Sequence, residues 1–268
     1  MRFFLWAGGL VCEPAANWQA RAVLRRSEAC ANGTGLDAIA QIAPLAESVP
    51  PKLYGGTEGV VHWLTEELVQ QGHEVTLFAS EDSRTSALLA PVIPRALRLG
   101  RPKQDPAAAD ERAQEFVVIH AHLDWLHLPL LCAKGVPFLT TLHGRIDQPG
   151  LERALKRFPG AHFISISDNQ RLPLPHLSWL GTVYHGMPER DLAAKFEREL
   201  DRRGVRAAFE ERFTAARMAR DYLTKYSQLI GSAESTSTMS RLSRRVSWAD
   251  ASGGRIPLGA RAAGVRVP

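Results

Sequence analysis

Histidines, glycines and hydroxyl side chains fall at the ends of apolar runs in this chain, and that placement points to chemistry. The run His120-Ala121-His122-Leu123-Asp124-Trp125-Leu126-His127 sets two imidazoles two residues apart. On a strand such residues share a face, so His120 and His122 could chelate a metal together. Polar groups also close the next runs: His143-Gly144-Arg145, then Ser165 and Ser167-Asp168, then His185-Gly186. The loop Tyr54-Gly55-Gly56-Thr57 opens a helix. Its glycines let backbone approach a ligand closely, and the helix N-terminus offers free N–H groups and a positive dipole end to a phosphate. A strand end opening into a loop is where a doubly wound fold places its ligand, so a functional cleft is expected here.

The elements that must position these groups follow from periodicity. Ala38-Ile39-Ala40-Gln41-Ile42-Ala43 is a short run typical of a buried strand. After a polar loop with Pro50 and Pro51, Thr57 reads as an N-cap. Val60, Val61, Leu64 and Leu68 recur at helical spacing, and Gly72 closes the helix. His73 to Ala79, Phe116 to His122, Pro137 to His143, His162 to Ser167 and Trp179 to His185 are further strands. Leu123 to Lys134 and Leu151 to Phe158 are the helices between them. Apolar strands alternating with helices give an α/β fold, a doubly wound parallel sheet covered on both faces. Arg84 to Arg112, with Pro91, Pro94, Pro102 and Pro106, reads as an irregular connection. After Gly186 the pattern changes: Asp191 to Arg203 and Ala207 to Ile230 are helical. Phe209, Phe213, Ala216, Ala219, Tyr222, Leu223, Tyr226 and Leu229 make an apolar stripe on the second of these, which predicts docking beside the first or last helix of the sheet.

The chain has 268 residues, 45% of them apolar, which is enough to build a core. Aromatics at 7% fit an α/β protein made of Leu, Val and Ala. The net charge of +5 is mild for this length, and with a pI near 9.4 it suits an anionic substrate or contact with acidic lipid headgroups. Cys12, Cys30 and Cys132 form no C-x-x-C pair, which argues against a disulfide framework or structural zinc and for a reducing cytoplasm. No run reaches the roughly 20 apolar residues a spanning helix needs.

Several segments, in order, carry a resemblance. Ile39-Ala40-Gln41-Ile42-Ala43-Pro44 with Tyr54-Gly55-Gly56-Thr57-Glu58 resembles the opening of family-4 glycosyltransferases of the GT-B fold. Gly72-His73-Glu74-Val75-Thr76-Leu77-Phe78, Thr141-Leu142-His143-Gly144, Ile164-Ser165-Ile166-Ser167 and Val183-Tyr184-His185-Gly186 continue it. Phe209 through Tyr222 resembles the family's final helix. The resemblance implies a Rossmann-like acceptor-side domain over 37–186, then linker and terminal helices over 187–230. Residues 1–36 carry no clear fold, and 231–268 read as a disordered tail.

The implied activity is transfer of a sugar from a nucleotide-sugar donor to an acceptor with retention, without a cofactor or bound metal. His122 or His143 would face the transferred sugar. Gly55, Gly56, Thr57, Arg145, Ser167, His185 and Gly186 would line the substrate. The implied partners are the donor and an acceptor that is a carbohydrate, a lipid or a small molecule, with peripheral membrane contact and no nucleic acid. One departure is large: the stretch from Gly186 to Ala207 is too short for the family's donor-binding domain, so the chain is expected to be inactive alone. Two rivals stand beside this reading. One is a non-catalytic acceptor- or partner-binding module. The other is a metal-dependent hydrolase using His120, His122, Asp124 and His127, a run close to the H-x-H-x-D-H motif of metallo-β-lactamase-like enzymes but with Trp125 in place of a histidine.

Overall fold

The computed structural model describes residues 38–52, 54–99, 112–148, 150–191 and 202–250. The expectations for 1–36, for a helix over Asp191 to Arg203 and for the tail beyond residue 250 fall wholly or largely outside these. Seven parallel strands form one sheet in the order β3-β2-β1-β4-β5-β6-β7. They are β1 (Ile39–Ile42), β2 (Val75–Ser80), β3 (Leu88–Ile93), β4 (Val118–Ala121), β5 (Phe138–Leu142), β6 (His162–Ser165) and β7 (Trp179–Thr182). Strand order reverses between β1 and β4, which pair directly with Gln41 opposite His120. All carboxyl ends share one edge because every pairing is parallel.

β3 corrects the expectation of an irregular connection between Arg84 and Arg112. It holds Pro91, which lacks an N–H for a ladder bond, and that is tolerated because β3 is an edge strand. Pro91 and Pro94 disguise the strand in sequence. The first helix, α1 (Gly56–Gln70), has Gly55 as its N-cap with no side-chain capping bond, so Thr57 lies inside the first turn instead of capping it. Gly72, at φ +87°, closes the helix as expected. α2 (Leu128–Lys134) starts later than its sequence pattern because Pro129 is accommodated in a first turn and the residues before it form bends. α3 (Leu151–Leu155) is a short helix.

The terminal helical region is two helices, α4 (Arg202–Arg212) and α5 (Ala215–Asp250). The expectation of one helix ending at Ile230 is corrected at both ends. The break falls at Phe213 and Thr214, where the chain pairs with Met187: the Met187 amide donates to Phe213 and the Ala215 amide donates to Met187. The Thr214 hydroxyl then accepts from the Arg217 amide, a capping bond that restarts the helix. At the other end the helix continues through Asp250, so part of the stretch read as a disordered tail is helical.

Period-2 alternation sends successive strand residues to opposite faces. Ile39, Val118 and Leu139 meet Val60, Leu64 and Leu68 of α1 and Met218, Ala219, Tyr222, Tyr226, Leu229 and Ile230 of α5. Ala40, Ile119, Phe138 and Phe163 face the other way, onto Leu128 and Leu131 of α2 and Leu155 of α3. The apolar stripe of α5 thus docks beside α1, as its spacing predicts. No described helix is long and apolar enough to cross a membrane. Met218 is fully buried in the α5 interface, so Met218→Ala should cost about 2–5 kcal/mol. Urea unfolding would measure this; a loss under about 0.5 kcal/mol would mean that α5 does not stay docked.

Candidate functional site

The strand order reverses between β1 and β4, and in open α/β sheets ligands bind outside the carboxyl ends of the strands at such a point. Gln41 on β1 and His120 on β4 stand side by side in register, and His122 follows two residues on. The His122 amide donates to the carbonyl of Ile42, which ties the end of β4 to β1. His120 and His122 project from the same face, with ring centroids 4.0 Å apart.

From there the imidazoles form a row. His122 Nδ1 lies 2.8 Å from His143 Nε2, and His143 Nδ1 lies 3.1 Å from His185 Nε2. The row crosses from the end of β4, past β5, to the loop after β7. Behind it, His122 Nε2 bonds Gln41 Oε1 at 2.8 Å, and the Gln41 amide nitrogen donates to Tyr226 Oη at 3.1 Å. His120 is held at 2.7 Å by Tyr226 Oη and at 2.8 Å by Thr141 Oγ1, which also bonds Tyr222 Oη at 3.0 Å. Two tyrosines of the terminal helix therefore complete a buried polar network that begins at the strand ends. Burial holds the rings neutral: desolvation first, then neighbouring imidazoles, pushes His122 and His143 well below the ordinary 6.5. His120 is lowered the same way, and His185 is lowered by burial alone. Burial likewise raises the hydroxyl of Tyr226 well above its ordinary value.

The other expected site residues divide. Gly55 and Gly56 play different parts. A Cβ at Gly55 would lie 2.8 Å from a Glu58 carboxylate oxygen and 2.9 Å from Pro51, so packing requires that glycine. Nothing lies within 4 Å of a Cβ at Gly56, which leaves room at the start of α1, with Thr57 beside it in the first turn. The loop is braced by Arg98, which donates to the Tyr54 carbonyl at 2.8 Å and pairs with buried Glu47 at 3.1 Å. Arg145 points outward, paired with Asp147. Ser167 accepts from the Gln170 amide at 3.3 Å, and Gln170 donates to the carbonyls of Leu142 and Gly144 on either side of His143. Ser167 is thus linked through Gln170 to the loop that carries His143. Gly186 is set by packing: a Cβ there would meet the Thr214 carbonyl at 2.2 Å.

The metal-binding run does not converge. His127 bonds Thr140 from the opposite face of the sheet and packs edge-on against Phe138. His120 and His122 have both ring nitrogens engaged by protein groups. Among the described residues no group of His, Cys, Asp and Glu is arranged to hold a metal ion. Sequence reasoning missed Gln41, Tyr222 and Tyr226 as site residues. The one signal was a lone amide inside the apolar run Ile39-Ala40-Gln41-Ile42.

Residues 54–225 match the family model described as Glycosyltransferase Family 4. The chain is also similar to a crystal structure of AviGT4, a glycosyltransferase involved in Avilamycin A biosynthesis, at 19% identity over 56% of this chain and 42% of that one, with a TM-score of 0.36. A second similar structure is sucrose-phosphate synthase from Thermosynechococcus elongatus, at 15% identity over 62% of this chain and 53% of that one, with a TM-score of 0.38. The chain therefore spans about half the length of these two structures. No curated protein matches it.

Two outcomes follow from the geometry. Gly186→Ala should destabilise the fold by about 1–3 kcal/mol through overpacking against Thr214, read by thermal or urea unfolding; an unchanged midpoint would contradict the close approach. The buried histidines make stability pH-dependent. Their folded-state pKa values lie below the unfolded 6.5, and burial lowers that of His127 to about 4. As pH falls through 6.5 the unfolded chain takes up protons first, so stability is full above that value and declines below it. Each such ring contributes up to about 1.4 kcal/mol per pH unit until its folded pKa is reached. A flat unfolding free energy between pH 7 and pH 5, about the range where the unfolded rings titrate, would contradict neutral burial.

Proposed function

Because this chain belongs to glycosyltransferase family 4, we propose that its sheet domain is the acceptor side of an enzyme that transfers a sugar from a nucleotide-sugar donor with retention. The observation that carries this reading is the row of neutral imidazoles, His122, His143 and His185, at the strand-order reversal. A neutral ring suits a hydroxyl, and the ring nitrogen of the row that no described hydrogen bond occupies is His185 Nδ1, those of His122 and His143 being spent on Gln41, on one another and on His185. His143 faces the transferred sugar in this reading, and buried His122 stands directly behind it. The N-terminus of α1 suits the donor diphosphate, since its free N–H groups and dipole favour an anion and Gly56 leaves space above them. In the transfer, the acceptor oxygen bonds to the anomeric carbon on the face from which the diphosphate departs. The hydroxyl proton leaves with the diphosphate. The acceptor is a carbohydrate, a lipid or a small molecule, and the buried thiol Cys132 fits a cytoplasmic setting.

By itself, in our reading, the chain binds but does not transfer. It leaves the sheet domain at Met187 and returns beside the same residue at Thr214. The residues between are fewer than the ~50 or more that a folded domain needs. Charge on the departing diphosphate would then lack the second wall that excludes water and neutralises it. A binding module is thus favoured by a specific observation, the closure of Met187 on Thr214.

Purified chain mixed with UDP-glucose or GDP-mannose and a panel of methyl glycosides should give no product above a buffer control. Turnover that disappears in His143→Ala would show that the chain transfers unaided. Saturation-transfer NMR tests the acceptor side itself: glycoside contact is expected in the parent chain and weakened about tenfold by His143→Ala, the effect of losing about 1.4 kcal/mol. Contact that is identical in both would remove the imidazole row from the site.

A further inference from the structure

Hydrogen-bond direction is fixed once each ring carries one N–H and one lone pair, the form that burial enforces on His122 and His143. The Gln41 amide sets the sense at the centre of the network. Its nitrogen donates to Tyr226, leaving Oε1 as the acceptor for His122 Nε2. His122 therefore carries its proton on Nε2 and offers a bare Nδ1. The atom 2.8 Å away, His143 Nε2, must then be a donor. His143 Nδ1 is left bare and takes the N–H of His185 Nε2 at 3.1 Å. Each link hands the same tautomer to the next ring, and the row ends on His185 with Nδ1 unprotonated. That ring is only partly buried, and no described hydrogen bond occupies its Nδ1.

We propose that Gln41 and Tyr226 are positioning residues that act through His122 and His143 to present His185 Nδ1 as a hydrogen-bond acceptor at the partly exposed end of the row. The ligand class that fits is a neutral donor, a hydroxyl such as a sugar's; a carboxylate or phosphate oxygen meets a lone pair there and is turned away. The choice of a sugar rests on the acceptor-side reading, whereas the tautomers do not. Tyr226 matters because it couples the amide to a larger set of protons. Turning Gln41 over would convert His185 Nδ1 into a donor, but the protons on Tyr226, His120 and Thr141 would have to reverse with it. Without the Tyr226 hydroxyl, the amide turns independently and the row loses its single sense.

The test is tautomer assignment in the intact ¹⁵N-labelled chain, from two-bond correlations between imidazole carbon-bound protons and ring nitrogens. The expected result is a proton on Nε2 of His122, His143 and His185 alike. In Tyr226→Phe the far-ultraviolet circular dichroism should stay the same, while the His143 and His185 nitrogens average between the two tautomers. An Nδ1 proton on His143 or His185 in the parent chain would overturn the proposal, as would unaltered single tautomers in Tyr226→Phe. If that variant does not fold, Gln41→Glu decides: an ionised carboxylate only accepts, so His122 must keep its proton on Nε2, and a bare His122 Nε2 refutes the assigned sense. None of these readouts needs sugar transfer or glycoside binding. A failed acceptor-side reading would therefore show in the transfer and saturation experiments and not in this one.

Discussion

A buried amide on the first strand has to be paired, and that requirement organises the molecule. Gln41 is fully buried between β2 and β4, with His120 beside it and Thr141 beyond. An unpaired buried polar group costs about 1–3 kcal/mol, so leaving this cluster open would consume much of a domain's stability. Strand neighbours cannot supply enough partners, because their backbone groups are spent on the ladder. The hydroxyls of Tyr222 and Tyr226 supply them from α5. The terminal helix is therefore seated by two requirements at once. Its apolar stripe fixes which face goes down, and the tyrosine hydroxyls fix how far along the sheet it lies.

The same cluster joins the core to the strand-end histidines. His122 has one ring nitrogen on Gln41 and the other on His143, so the last buried residue and the first partly exposed one belong to a single chain of bonds. The loops that carry the outer histidines are braced separately. Gln170 bonds the carbonyls on either side of His143, and Gly186 lets the segment after β7 close against Thr214. The Arg217 side chain bonds the carbonyl of Tyr184, next to His185, and ties that loop to α5. An imidazole row held at both ends in this way keeps its geometry without a ligand, which is the condition for a site made of preorganised dipoles.

Much of this was legible along the chain, for local reasons. Apolar runs of strand length, separated by helical spacing and, at the first helix, closed by Gly72, gave the alternation of a parallel sheet. In such a sheet every strand ends on the same edge, so His122, His143 and His185 were expected along that one edge before any contact was known. Other parts were hidden. β3 reads as a loop because Pro91 is a poor strand residue everywhere except at an edge, and edge position is not a local property. Tyr222 and Tyr226 fit the apolar stripe of a helix, and their hydroxyls gave no sign of a partner. Gly186 looked like a ligand contact, and only the approach of Thr214 shows that packing requires it.

Apart from β3 and the limits of the terminal helices, the sequence by itself determined which segments are strands and helices, which face of α5 is apolar, and which polar groups close the strands, because these depend on residues a few positions apart. The tertiary structure alone decided that β1 lies against β4, that His127 faces away from His120, and that Gln41 meets Tyr226 at a separation of 185 residues. Those outcomes come from strand order and helix seating, where burial and the pairing of polar groups act between distant parts of the chain and leave no periodic trace in it.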